Sequence, residues 1–228
     1  MPPVRIAPSI LAGDLGNLKG AIEGAVEAHA DQIHLDVIDG HFAPNITFGP
    51  GTVKALRRSC DLPFDVHLMI DEPLRFVDAF VEAGSDILTF HAEVLNGRSF
   101  DSLHAAIHSR RRKVGLALKP STVLPRWVKE RLDKLDVIIV MTVNPGFSGQ
   151  TLDRGVLPKL EKIARLLSEE RVQADVEVDG GVEVDNAGEL VKKGANVLVA
   201  GASVYGKSDP VGAIKKLRTV ANDATRMI

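Results

Sequence analysis

"IHLDVIDGHFAPN", residues 33 to 45, opens as an apolar strand and closes as a polar turn. Ile33, Leu35, Val37 and Ile38 call for burial, while His34 and Asp36 fall on one common face. Residues two apart on a strand project to the same side, about 6.6–7 Å apart along it. Charge buried in a strand is costly unless it is paired or holds a metal. The stretch therefore predicts a buried strand whose C-terminal end carries chemistry, followed by a functional loop.

Apolar runs of the same kind recur on both sides of it. "RIAPSI" (5–10) precedes it and "FDVHLM" (64–69), "DILTFHA" (86–92), "KVGLALK" (113–119), "DVIIVMTV" (136–143), "DVEVDG" (175–180) and "NVLVAG" (196–201) follow. With "QIHLDVI" (32–38) the count reaches eight. Amphipathic segments such as "LGNLKGAIEGAVEAHA", "PLRFVDAFVEAG", "VLPKLEKIARLLSEE" and "NAGELVKKG" lie between them, several ending in the glycine that favours a helix C-terminus. Eightfold alternation of strand and helix in a chain of 228 residues predicts an α/β fold, a single-domain (β/α)₈ TIM barrel spanning residues 1–228. An open doubly wound sheet would carry a glycine-rich phosphate loop after its first strand, and "APSILAGDLG" is not one. No linker or low-complexity tract divides the chain.

Bulk composition narrows the function by exclusion. Apolar residues at 45% and charged residues at 25% describe an ordinary globular chain. With 28 basic against 30 acidic side chains the net charge is -2, which argues against a nucleic-acid or membrane-surface binder. No apolar run approaches the roughly 20 residues that a bilayer span needs. The beginning "MPPVRIAPSIL" lacks the basic-then-apolar pattern of a secretion signal. Cys60 is the sole cysteine, so no internal disulfide forms, which fits a reducing compartment. The expectation is a cytoplasmic protein with no nucleic-acid or membrane partner.

In a barrel of this kind the site lies at the C-terminal ends of the strands. His34 and Asp36 are there on the second strand, His67 on the third and Asp179 on the seventh. Two histidines and two aspartates form a nitrogen and oxygen donor set suited to zinc, iron(II), manganese or cobalt rather than magnesium. Asp36 and Asp179 also read as an acid-base pair reaching a ligand from different sides, the arrangement that inversion of a stereocentre beside a carbonyl requires. "NPGFSGQ" (144–150), "DGG" (179–181) and "AGAS" (200–203) bring glycines to three neighbouring strand ends, where backbone N–H groups approach an anion such as phosphate. Ser9 is placed to hydrogen-bond a substrate. Met69 and Met141 read as packing, Lys119 as a solvated strand end, and His41 and His91 as loop residues or as supports behind the site.

"APSIL", "IHLDVIDGHFAPNITFGP", "DVHLMI", "MTVNPGFSGQ", "VDGG" and "AGAS", in that order from about residue 6 to residue 206, resemble the signatures of the ribulose-phosphate 3-epimerase family. The resemblance implies a TIM barrel with one divalent metal ion per subunit, commonly zinc or iron(II), held by His34, Asp36, His67 and Asp179. It implies that Asp36 and Asp179 are the catalytic acid and base. Ser9, His67, Gly146, Phe147, Ser148, Gly149, Gly180, Gly181, Gly201 and Ala202 match the family's contacts to the sugar phosphate. The implied reaction is interconversion of D-ribulose 5-phosphate and D-xylulose 5-phosphate, with another ketose phosphate such as D-allulose 6-phosphate as the rival substrate. Homo-oligomerisation is expected on the resemblance alone. This chain departs from the usual pattern at Ile38 (commonly Met), Ala43 (Val), Ser148 (Gly), Ala202 (a hydroxyl residue) and Lys119 (Asn). None of these is a metal or proton-transfer position. The related decarboxylases and hexulose-phosphate synthases carry an Asp-x-Lys-x-x-Asp motif on the third strand, whereas residues 65–70 here read Asp-Val-His-Leu-Met-Ile.

Overall fold

All eight expected strands form in the computed structural model, which describes residues 3–226, and each is one to three residues shorter than its apolar run except the third. They are β1 (Arg5–Pro8), β2 (Ile33–Ile38), β3 (Phe64–Met69), β4 (Ile87–His91), β5 (Lys113–Leu118), β6 (Val137–Met141), β7 (Asp175–Asp179) and β8 (Val197–Ala200). The residues trimmed from the C-terminal ends begin the loops that carry the site. Helices return the chain between strands: α1 (Leu18–Glu27), α2 (Pro50–Leu56), α3 (Val77–Ala83), α4 (Gly97–His108), α5 (Arg126–Lys129), α6 (Leu157–Glu169) and α7 (Val184–Lys192). The short α8 (Ala202–Tyr205) and the long α9 (Pro210–Thr225) follow β8.

The sheet runs β1-β8-β7-β6-β5-β4-β3-β2 with every neighbouring pair parallel. A single parallel bridge between Ser9 and His34 joins β1 to β2 and brings the barrel nearly to closure. Alternation along each strand then separates two interiors. Outward-facing Ile33, Leu35, Phe64, Val66, Leu88, Phe90, Val114, Leu116, Ile138 and Val178 pack beneath the helices and form the larger apolar core. Inward-facing Ile87, Ala117, Val137, Ile139, Met69 and Met141 form a second, smaller cluster inside the barrel. Ala7, Val197 and Val199 form a third apolar group on the inward face of β1 and β8, and much of the remaining bore is polar. His34, Asp65, His67, Thr89, His91 and Glu177 are all fully buried there.

Small side chains on β5 make room for the large polar ones beside them. Thr89 pairs with Gly115 and His91 with Ala117. A Cβ on Gly115 would come within 2.1 Å of the Thr89 hydroxyl oxygen, so glycine is required by its neighbour. Among the described residues no helix is long and apolar enough to cross a membrane.

Candidate active site

Parallel register assembles the cluster before any loop is considered. β2 and β3 align His34 with Asp65 and Asp36 with His67, so the period-two pairs on adjacent strands stack into two layers. β7 contributes the same pattern from the far side of β1 and β8, with Glu177 in the lower layer and Asp179 in the upper. One donor atom each from His34, Asp36, His67 and Asp179 lies within 4.8 Å of all the others. His34 Nε2 is 3.3 Å from Asp36 Oδ1 and 4.0 Å from Asp179 Oδ2. His67 Nδ1 is 3.5 Å from each of the same two carboxylate oxygens.

Two of these atoms are orphans. His34 Nε2 and His67 Nδ1 are buried without a hydrogen-bond partner, and both face the same pair of carboxylates. Buried polar atoms are nearly always satisfied, so a convergent pair of bare imidazole nitrogens with two carboxylates fits a divalent cation. The electrostatics agree. Burial opposes charge on His34, Asp36 and His67. Even so, the charge of His34 and its hydrogen bond, aided by His67, hold Asp36 well below the usual carboxylate range. Against the same burial, the facing carboxylates of Asp179 and Asp36 lift the His67 pKa to about 9, and Asp36 and Asp65 raise that of His34. Protons on the imidazoles thus supply the positive charge that the carboxylates demand, and a cation taking their place would release them.

The lower layer anchors His34. Its Nδ1 lies 2.8 Å from Asp65 Oδ2 and 3.2 Å from Glu177 Oε1. Gln32 Nε2 donates to Asp65 Oδ2 and to Glu177 Oε2, 3.2 Å in each case. Burial and the charge of Asp65 push the Glu177 pKa up to about 8, while His34 holds Asp65 below the usual carboxylate range against its own burial. Asp65 is thus the stronger anion and the nearer partner, and the His34 Nδ1–H goes to it.

Above the cluster opens a pocket whose lining includes Ser9, Asp36, Asp179, Gly146, Phe147, Ser148, Gly149, Gly180, Gly181, Gly201 and Ala202. Every substrate contact expected from the sequence lies there except His67, which is fully buried behind the two carboxylates. The Ser9 hydroxyl donates to Asp36 Oδ2 at 2.5 Å. Asp36 and Asp179 alone of the four present an edge to the pocket, their side chains 9% and 13% exposed. Ile38, Met69 and Met141 form its apolar wall, so the methionines read from sequence as packing also line the site.

Gly180 and Gly181 are obligatory in the β7 turn. Their φ values are +114° and +61°, and a Cβ would come within 2.4 Å of Val143 Cγ2 in the first case and of the Leu152 amide nitrogen in the second. Thr142 secures the turn by donating its hydroxyl to the Asp179 and Gly180 carbonyls. Ser148 is exposed, and it is not among the residues with positive φ, so a side chain is accommodated where glycine is usual. Ala43 is buried against Ile38, Met69 and Met141. The hydroxyl missing at Ala202 recurs one residue on, at Ser203, which also lines the pocket and whose Oγ is buried without a partner.

The remaining sequence candidates fall into place around this centre. His41 is exposed in the loop after β2, hydrogen-bonded to Asp39. Lys119 has its ammonium 3.7 Å from the centroid of the Phe42 ring and is not among the residues lining the pocket. His91 is buried beside His67. Asp65, Glu177, Gln32 and Glu93 were not singled out from sequence. Asp65 precedes His67 by two residues and Glu177 precedes Asp179 by two, the spacing that marks His34 and Asp36, so the signal was there.

A parallel barrel whose bore ends in two buried histidines and two aspartates under a glycine-rimmed pocket defines a barrel enzyme acting on a small molecule. The family model described as the Ribulose-phosphate 3 epimerase family matches residues 5–205, and the chain belongs to that family. It is similar to ribulose-phosphate 3-epimerase of Bacillus subtilis, 44% identical over 94% of this chain and 98% of the relative. The enzyme of that name from Escherichia coli is 40% identical over 96% of each chain, and the chloroplastic one from Arabidopsis thaliana is 40% identical over 94% of this chain and 76% of its own. The protein is an epimerase. Among solved structures it resembles 3-hexulose-6-phosphate synthase from Salmonella typhimurium, with a TM-score of 0.74 at 17% identity over 96% of this chain and 99% of that one. That likeness bears on the fold alone.

Proposed function

We propose that the chain interconverts D-ribulose 5-phosphate and D-xylulose 5-phosphate by inverting C3, with Asp36 and Asp179 as the proton-transfer pair. The observation that carries this reading is the placement of the two carboxylates. They reach the pocket from strands separated by β1 and β8, and they are the edges of the cluster that are open to it. In one direction one carboxylate takes the proton from C3 and the C–H electron pair moves to the C2 carbonyl oxygen as an enediolate. The other, protonated, returns a proton to the opposite face of C3. The reverse reaction exchanges the two roles. His34, Asp36, His67 and Asp179 would hold one divalent cation, zinc or iron(II) in preference to manganese or cobalt, and when bound it supplies Lewis-acid stabilisation of negative charge on the sugar oxygens.

Ser9 orients Asp36 through its hydroxyl. The glycines of the β6, β7 and β8 loops supply close backbone approach for the phosphate, and the absence of any Lys or Arg from the pocket lining gives that task to N–H groups and to hydroxyls such as Ser203. Membership of the family makes a small sugar phosphate the expected partner, and the family's habit makes a homo-oligomer the expected state.

Turnover in deuterium oxide tests the mechanism, and C3 is expected to acquire solvent deuterium in both substrate and product. Product formed without label removes the two-acid scheme. Parallel kcat/KM measurements on the two pentulose phosphates and on D-allulose 6-phosphate test the substrate; a wide margin for the six-carbon ester transfers the assignment to it.

A further inference from the structure

The cluster has a third histidine behind it that the proposed chemistry leaves unused. His91 ends β4 and is fully buried. Its ring lies edge to edge with that of His67, centroids 5.0 Å apart and planes 18° from parallel. The two Nε2 atoms are 2.9 Å apart, a hydrogen-bond distance that requires one proton between them. On the far side His91 Nδ1 lies 2.9 Å from Glu93 Oε2, and Glu93 Oε1 accepts the Lys119 backbone N–H at 2.8 Å. Phe42 packs on the His91 ring with centroids 4.4 Å apart.

Proton placement along this chain is forced from one end. A nitrogen that takes a cation must be bare, and the His67 nitrogen facing Asp36 and Asp179 is Nδ1. The His67 proton then resides on Nε2 and is donated to His91 Nε2. His91 in turn carries its proton on Nδ1 and donates it to the Glu93 carboxylate. Each hydrogen bond fixes the tautomer of the next ring.

We propose that His91 and Glu93 are positioning residues that lock His67 in the Nε2–H tautomer and so present its Nδ1, bare and oriented, to the cation. The inference rests on the cation assignment made above for the four upper residues. It separates the two histidine ligands by their supports: His34 leans directly on a buried carboxylate, and His67 reaches one only through a second imidazole.

Metal-stripped, full-length protein with ¹⁵N-labelled histidine tests this in two ways. Long-range ¹H–¹⁵N spectra of the wild type read the tautomers without metal or substrate, and neutral His91 is expected as Nδ1–H. Zinc affinity is then measured by competition with a chromophoric chelator. His91→Leu is expected to weaken zinc binding by about 10- to 100-fold, the usual effect of removing a ligand's hydrogen-bond partner. His91→Gln, whose side-chain oxygen still accepts from His67, is expected to recover most of that loss. Glu93→Ala, at the end of the chain where the side chain is 20% exposed, is expected to weaken binding by about tenfold. It carries the same test if His91→Leu does not fold. His91 found as Nε2–H in the wild type, or zinc affinity within about twofold of wild type in folded His91→Leu or Glu93→Ala, overturns the proposal. If the wild type takes up no zinc, the cation assignment fails, and the tautomer spectrum alone still decides the chain of hydrogen bonds.

Discussion

The barrel has two interiors, and they obey opposite rules. Between strands and helices the packing is apolar throughout, with Phe64, Phe80, Phe90 and Phe100 among its largest fully buried side chains. Inside the bore, on the alternate residues of the same strands, lie His34, Asp36, Asp65, His67, His91 and Glu177. The mantle is held by area removed from water, which is indifferent to small shifts in direction. The bore is held by hydrogen bonds and paired charge, which fail when one partner is lost. On β2, β3, β4 and β7 one side stabilises the molecule and the other side spends part of that stability on chemistry.

Substitutions on the two faces should therefore divide cleanly, and the largest effect belongs to the bore. Asp179→Asn and Asp36→Asn are each expected to lower kcat by about 10²–10⁴, the weight of a general acid or base, with circular dichroism and melting temperature near wild type. A rate within a factor of a few of wild type removes that residue from the proton-transfer pair. In the mantle, Phe64→Ala is expected to cost about 3–5 kcal/mol in urea unfolding, while kcat of the folded fraction stays close to wild type. A proportionate loss of kcat there would break the division. The smallest effect is a pH dependence. Burial holds the folded pKa of His91 at about 4, below the ordinary histidine value of about 6.5, so the unfolded chain binds the extra proton first. Stability should decline as pH falls from about 6.5 towards 4, and His91→Phe should flatten that part of the curve in melting experiments across pH. An unchanged slope would mean that other groups govern it.

Much of this was legible in the chain because buried parallel strands read as near-continuous apolar runs. "DVIIVMTV" and "KVGLALK" announce themselves, and a polar residue inside such a run stands out, as His34 and Asp36 do. What stayed hidden depended on register. Asp65 meets His34 only because β2 and β3 align those two positions. Glu177 reaches the same imidazole from more than a hundred residues away, across a nearly closed sheet. Glu93 lies past the end of β4, in a short turn spanning Ala92–Val94, where period-two reasoning no longer applies. Strand ends were the least legible boundaries: β6 stops at Met141 rather than residue 143, because the chain there turns to follow the Gly180 and Gly181 loop.

Seven seams of the sheet are ladders, and the eighth is the lone bridge between Ser9 and His34. A cylinder stitched that way has its slack along one line. The line runs past His34 and past the serine whose hydroxyl meets Asp36, and lower down Ile6 and Asp31 add two hydrogen bonds across it. The most sparsely laddered edge of the wall is thus also the edge that carries Asp36.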